Sequence, residues 1–228
     1  MSHEQDDHER AGTAVKVTAV KVTAVKVTAV KVATVKVAVR PGPDRRGDTR
    51  HEILFAAAAL MADRGFSATS VDEIAAAAGV AKGSVYYNFG SKEELFTTIL
   101  TEGIGRLNEA LAAARAGLVG ERALEALITE LLAQVTAHPD FAKLITTEIF
   151  RTGRRWQESI RLVREESMGT FADVVRQSRP DVDARLVGAA IFGATLVAGL
   201  EWLVFSPEKT FAELRSAVLA TTSGLLAA

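Results

Sequence analysis

From Thr49 onward the chain alternates apolar and polar positions with the period of a helix. Ile53, Ala57, Leu60 and Met61 share one face, and Gly65 closes that segment. Ser70-Val71-Asp72-Glu73 has the spacing of a capping box, in which the serine oxygen accepts from the third amide and the glutamate reaches back. It opens a short helix through Ala78 that Gly79 ends. A second short helix is expected from Ala81 to Phe89. Ser91-Lys92-Glu93-Glu94 repeats the capping spacing and starts a longer helix through Leu95, Ile99 and Leu100. Beyond these, the pattern predicts helices over 120–137, 139–150 (with Pro139 in the first turn), 154–178 and 182–205. A last one starts at Pro207 and runs through Phe211, Leu214, Val218 and Leu225. All five prolines stay outside helix interiors. No segment reads as a strand, so the expected class is all-α.

The first 45 residues follow another rule. Ala14-Val-Lys-Val-Thr18 recurs with a period of five and decays by Ala38. In a strand, an odd period sends successive valine pairs to opposite faces; in a helix it turns the lysines by about 140° per repeat. Neither structure buries a constant face. Residues 1–45 are therefore predicted to be a disordered arm, ended by Arg40-Pro41-Gly42-Pro43. Its lysines suit it to tethering on a nucleic-acid backbone. A simple repeat without function is the plainer reading, and its Val and Thr content leaves self-association open.

Composition narrows the field. With 228 residues, 48 % of them hydrophobic, the chain has ample material for a core. The absence of cysteine removes disulfides, thiolate metal sites and cysteine nucleophiles, and fits a reducing compartment. The four histidines, His3, His8, His51 and His138, are scattered, so no metal and no cofactor are expected. A nucleophile elbow, a Gly-x4-Gly-Lys phosphate loop and a paired acid and base are all missing from the sequence, which argues against an enzyme. Net charge is −1, yet Arg10 to Arg50 holds ten basic residues against Asp44 and Asp48. The N-terminus is acidic where a secretion signal would be basic. The most apolar run, Leu186 to Leu200, has 15 residues between Arg185 and Glu201, fewer than the roughly 20 of a membrane span. A core helix, no membrane partner and a cytoplasmic location are expected.

Two short helices joined at Gly79-Val80, with a helix before them, have the layout of a helix-turn-helix. In the second, Ala81, Val85 and Phe89 share an apolar face, while Gly83, Ser84, Tyr86, Tyr87 and Asn88 occupy the other. Serine, asparagine and tyrosine can address phosphates and base edges. Lys82 and Lys92 are placed for phosphate, and the amides at the Ser91 cap form an anion site. A plain three-helix structural module would share the layout without the polar face.

The run from Thr69 to Leu95, and above all Gly79-Val-Ala-Lys-Gly-Ser-Val-Tyr-Tyr-Asn-Phe-Gly-Ser-Lys92, resembles the DNA-binding domain of the tetracycline-repressor (TetR) family over about residues 49–100. The resemblance implies that the second helix enters the major groove. Residues matching Lys82, Gly83, Ser84, Tyr86, Tyr87 and Asn88 would touch DNA, with Lys92 on phosphate, and Thr69 and Ser70 join this candidate set. Ala81 stands where many members have serine, and Asn88 where many have histidine, which changes the bases read. Between Arg46 and Glu94 five basic residues face seven acidic ones, so affinity must come from placed contacts, dimerisation and the arm.

The expected domains are the arm at 1–45, the helix-turn-helix domain at 46–95 and a helical effector-binding and dimerisation domain at 96–228. The helix over 182–205 is apolar nearly all round. Ala190, Ala194 and Ala198 would admit a neighbouring helix, and with Leu214 and Val218 they form the candidate dimer interface. An ordinary monomer core would explain them too. Phe141, Leu144, Phe150, Trp156, Phe171 and Phe192 are candidate pocket walls, with Glu148, Arg161 and Thr195 as polar orienters. The same aromatics could simply fill a core. The function expected is a homodimeric transcriptional regulator, a repressor that leaves a pseudo-palindromic double-stranded DNA operator when a small apolar or amphipathic effector binds. The alternative is a non-specific architectural DNA-binding protein acting through the arm.

Overall fold

A computed structural model of the chain describes residues 45–148 and 157–226, which form nine α-helices and no strand. They are α1 (Arg45–Arg64), α2 (Val71–Ala77), α3 (Lys82–Phe89), α4 (Lys92–Arg115), α5 (Gly120–Ala137), α6 (Pro139–Glu148), α7 (Gln157–Ser178), α8 (Ala184–Phe205) and α9 (Phe211–Thr222). The repeat arm, Phe150 and Trp156 lie outside the described residues, as does the side chain of Glu148.

Two apolar clusters organise the helices. The first joins Ile53 and Met61 of α1, Ile74 of α2 and Val85 and Phe89 of α3 to Leu95 and Ile99 of α4. Leu144 and Ile145 of α6 complete it. The second joins Leu111 at the far end of α4 to Leu127 of α5, Phe171 of α7, Phe192 of α8 and Leu214 of α9. The boundary expected at 95/96 thus lies inside α4, a helix that supplies both clusters. α5 obeys its periodicity closely: Leu124, Leu127, Ile128, Leu131, Leu132 and Val135 are buried at i, i+3, i+4 spacing.

α8 ends at Phe205, where the sequence pattern placed it, and so extends beyond the uncharged run of 15 residues. It continues past Glu201 through Trp202, Leu203, Val204 and Phe205, so by length and composition alone it could cross a membrane. Its inner face instead packs within the second cluster, where Gly188, Ile191, Phe192, Thr195, Leu196 and Gly199 are buried. The approach to α7 is close: a Cβ on Gly188 would lie 2.6 Å from the backbone nitrogen of Ala172. The outer face leaves Leu186, Val197, Val204 and Phe205 exposed.

The contrast between two helical glycines gives a signed prediction. Gly188→Ala drives a methyl into backbone and should destabilise by about 1–3 kcal/mol. Gly105→Ala, with nothing within 4 Å of the added carbon, should stabilise by about 0.5–1 kcal/mol through helix propensity. Urea unfolding followed by circular dichroism measures both, and shifts of the same sign would refute the steric account.

A candidate nucleic-acid interface and an apolar cavity

α2 begins with the capping box read from the sequence. The Ser70 oxygen accepts from the Glu73 amide at 3.2 Å, and the Ser70 amide donates to Glu73 Oε2 at 2.9 Å. The turn to α3 passes through Gly79 at φ +68, a left-handed conformation that side chains resist. α3 is anchored by Val85 and Phe89, both buried. Ala81, expected on that buried face, is instead the exposed N-cap with extended backbone and no side-chain hydrogen bond to the helix. The helix begins one residue later, so its apolar stripe is one residue shorter. The guanidinium of Arg50 sits 5.3 Å from the centre of the Phe89 ring and donates to Glu102 at 2.6 Å, tying α1, α3 and α4 together. Sequence reading missed this clamp, because only the fold brings these residues together.

The outward side of α3 carries Lys82, Gly83, Tyr86 and Tyr87, with Ser84 and Asn88 half-buried at its edge. Tyr86 is 45 % exposed and Tyr87 79 %. A Cβ on Gly83 would meet nothing within 4 Å. Asn88 donates to the Ser84 carbonyl at 2.7 Å. Lys82 donates to Asp72 at 2.9 Å, which holds its pKa above the usual lysine range.

Three expected contacts are engaged within the chain. Thr69 is 2 % exposed, and its hydroxyl donates to the carbonyls of Gly65 and Leu60 at 3.0 and 3.3 Å. It ties the end of α1 and does not face outward. Ser70 is exposed but occupied by its capping box. The Lys92 ammonium donates to the carbonyls of Phe66 and Thr69 at 2.9 and 2.8 Å and lies 4.3 Å from the centre of the Phe66 ring. Of its three protons, one remains for a phosphate. At the N-terminus of α4, Ser91 accepts from the Glu94 amide at 3.1 Å, and Glu93 and Glu94 fill the first turn with negative charge. That electrostatic setting disfavours the anion site expected there.

A cavity of about 80 Å³ lies between α4, α5, α6, α7 and α8, lined from both clusters. Phe141 and Phe192 line it as expected. Leu144 is turned into the first cluster, and Phe171 stacks edge-on against Phe192 at 5.7 Å inside the core. Thr195 is fully buried and donates to the Ile191 carbonyl at 2.8 Å, while Arg161 is exposed and pairs with Glu165. These four residues do not line the cavity, because helical periodicity cannot separate a wall from a filled core. The polar wall comes from residues missed in the sequence: Arg106, Gln134, His138 and the buried Ser167. Gly103 was the one available signal, a glycine in mid-helix; a Cβ there would lie 2.2 Å from the Phe141 ring.

The dimer candidates divide as well. Ala190 and Ala194 are exposed and Ala198 is half-buried. Leu214 and Val218 are buried in the second cluster, on the side of α9 turned towards the chain's own core.

The arrangement of α1, α2 and α3, with an anchored short helix presenting a polar aromatic face, is that of a helix-turn-helix protein. Residues 53–99 match the family model for bacterial regulatory proteins of the tetR family. The chain is 30 % identical over 130 residues to the HTH-type transcriptional repressor NicS of Pseudomonas putida, covering 56 % of this chain and 61 % of that one. It is 41 % identical over 95 residues to the HTH-type transcriptional repressor KstR2 of Rhodococcus jostii, covering 39 % and 45 %. The match thus spans under two thirds of either relative. A TetR-like transcriptional regulator from Rhodococcus sp. RHA1 superposes with a TM-score of 0.68 at 26 % identity, over 82 % of this chain and 99 % of that structure. Over residues 53–99 the chain thus carries a helix-turn-helix segment of the tetR-family type. Each of these relatives is named as a regulator and not as an enzyme.

The capping box also makes a pH prediction. The Glu73 carboxyl is held below its ordinary range, first by the Ser70 amide and then by the Ser70 hydroxyl and Arg64. A depressed group stabilises the fold above its unfolded pKa, and that contribution is lost as pH falls through the lower folded value. Ser70→Ala should cost about 1 kcal/mol at neutral pH, and the difference from the parent protein should shrink in acid below the usual carboxylate range. Thermal melts in neutral and acidic buffers check this; a difference that grew on acidification would contradict it.

Proposed function

We propose that the chain is a homodimeric, sequence-specific repressor whose α3 reads the major groove and whose cavity takes a small apolar or amphipathic effector. The exposed face of α3 carries this reading. Two tyrosines stand in solvent, and Gly83 costs the helix about 1 kcal/mol although no described residue comes within 4 Å of an added Cβ. A duplex backbone approaching this face would use that space. The uncapped N-terminus of α3 offers amides to the same phosphate. In this scheme residues 46–95 bind DNA and 96–228 bind effector and partner.

Dimerisation supplies what one helix lacks, since a single recognition helix covers too few base pairs. The outer stripe of α8, with Leu186, Ala190, Val197 and Val204 on one side, is apolar and exposed among the described residues. Exposed Ala212, Ser216 and Ala220 give α9 a small-residue face. Two copies of this pair would form a four-helix interface. Coupling runs through α6: Phe141 lines the cavity and also packs against the first cluster. An effector favouring a displaced Phe141 would favour a conformer with mismatched half-site spacing.

The DNA reading is tested by selecting bound duplexes from random DNA and titrating the winner against salt. Tyr86→Ala and Ser84→Ala should relax sequence preference, at about 1–3 kcal/mol per lost contact. Lys82→Ala should weaken all sequences and lower the salt slope by about one. Binding unchanged in all three would overturn the proposal. The dimer is tested by sedimentation: Val197→Glu should convert the protein to monomers that retain helical content, and an unchanged mass would exclude α8 as the interface.

A further inference from the structure

Just outside the cavity, a larger groove of about 550 Å³ lies between α1, α4 and the junction of α5 with α6. Three residues line both spaces: Arg106, His138 and Phe141. Among the described residues around the inner cavity, Arg106 alone carries a permanent charge, and no carboxylate is present. The groove adds Glu102, Asp140 and His51, together with the exposed ring of Phe55. Glu102 accepts from Arg50 at 2.6 Å through one oxygen and stands 3.9 Å from Arg106 through the other, so Arg106 has only this longer, solvent-exposed acidic contact among the described residues. Asp140 lines only the groove.

Resting on the effector reading above, we infer that Arg106 is the head-group site for an anionic amphiphile: a carboxylate at the seam of the two spaces, with an apolar tail inside the cavity. An arginine fork matches a carboxylate geometrically. His138 adds a second donor at the same seam. The tail has an apolar lining beyond Phe141, in Leu131, Val135, Met168 and Leu196. A cationic head finds no acid in the inner wall and meets Arg106 at the entrance. A neutral head forgoes the charge-assisted pair that a carboxylate makes with the guanidinium. Phe141 lies between head and tail, so a ligand of this kind would press on the residue that α6 shares with the first cluster.

The experiment uses the full chain, with N-phenyl-1-naphthylamine fluorescence as an uncharged reporter of the cavity and octanoate, octanol and octylamine as competitors. Octanoate should displace the dye at roughly tenfold lower concentration than octanol, and octylamine should be weakest. In Arg106→Gln the ratio of octanoate to octanol should collapse towards one, and Arg106→Lys should restore part of it. Circular dichroism confirms that each variant is folded; Arg106 is largely exposed, and its replacement leaves both clusters intact. Equal displacement by all three competitors, or an octanoate preference that survives Arg106→Gln, overturns the head-group assignment and leaves the cavity reading standing. If neither the dye nor any competitor binds, the cavity reading fails and the assignment falls with it.

Discussion

The fold turns on one contact, the Phe141 ring seated on Gly103. α4 has to pass from the cluster beneath the helix-turn-helix to the cluster around the cavity, and Gly103 is where it does so. The ring occupies the space of a missing side chain, since an added Cβ would lie 2.2 Å from it. From that seat Phe141 touches the first cluster on one side and the cavity on the other. Packed interiors do not deform smoothly; they switch between arrangements. On the proposed reading, a contact this close is suited to passing a displacement of the ring on to α4 and α6, which it packs between.

The helices were legible because most bury one continuous face. The boundaries of α5 match the periodicity residue for residue, and the capping box at Ser70 and the serine cap at Ser91 place the starts of α2 and α4. The outward face of α3 was legible for a related reason: it is polar where its neighbours are apolar. Sequence pattern failed where two outcomes share one pattern. Leu144, Phe171 and Thr195 look like pocket walls because they lie on apolar faces, yet neighbouring helices fill the space before them. Leu214 and Val218 look like an interface, yet their side of α9 meets α5 of the same chain. The cavity's polar wall escaped notice because Arg106, Gln134 and His138 come from separate turns of two helices and meet only in three dimensions. Thr69 and Lys92 show the converse, where residues placed on DNA by resemblance also hold the loop between α1 and α2.

The charge arrangement around α3 bears on how such a protein can be specific without being strongly basic. Lys82 is paired with Asp72 across the turn, and both side chains are more than half exposed. An ion pair in that setting contributes little to stability, so exchanging the carboxylate for a DNA phosphate costs the fold almost nothing. A phosphate must still compete with Asp72 for the ammonium, and that cost falls on any duplex that engages Lys82. On the proposed reading, discrimination is therefore left to Tyr86, Ser84 and the bare backbone at Gly83, because a module with seven acids against five bases has little bulk charge to contribute.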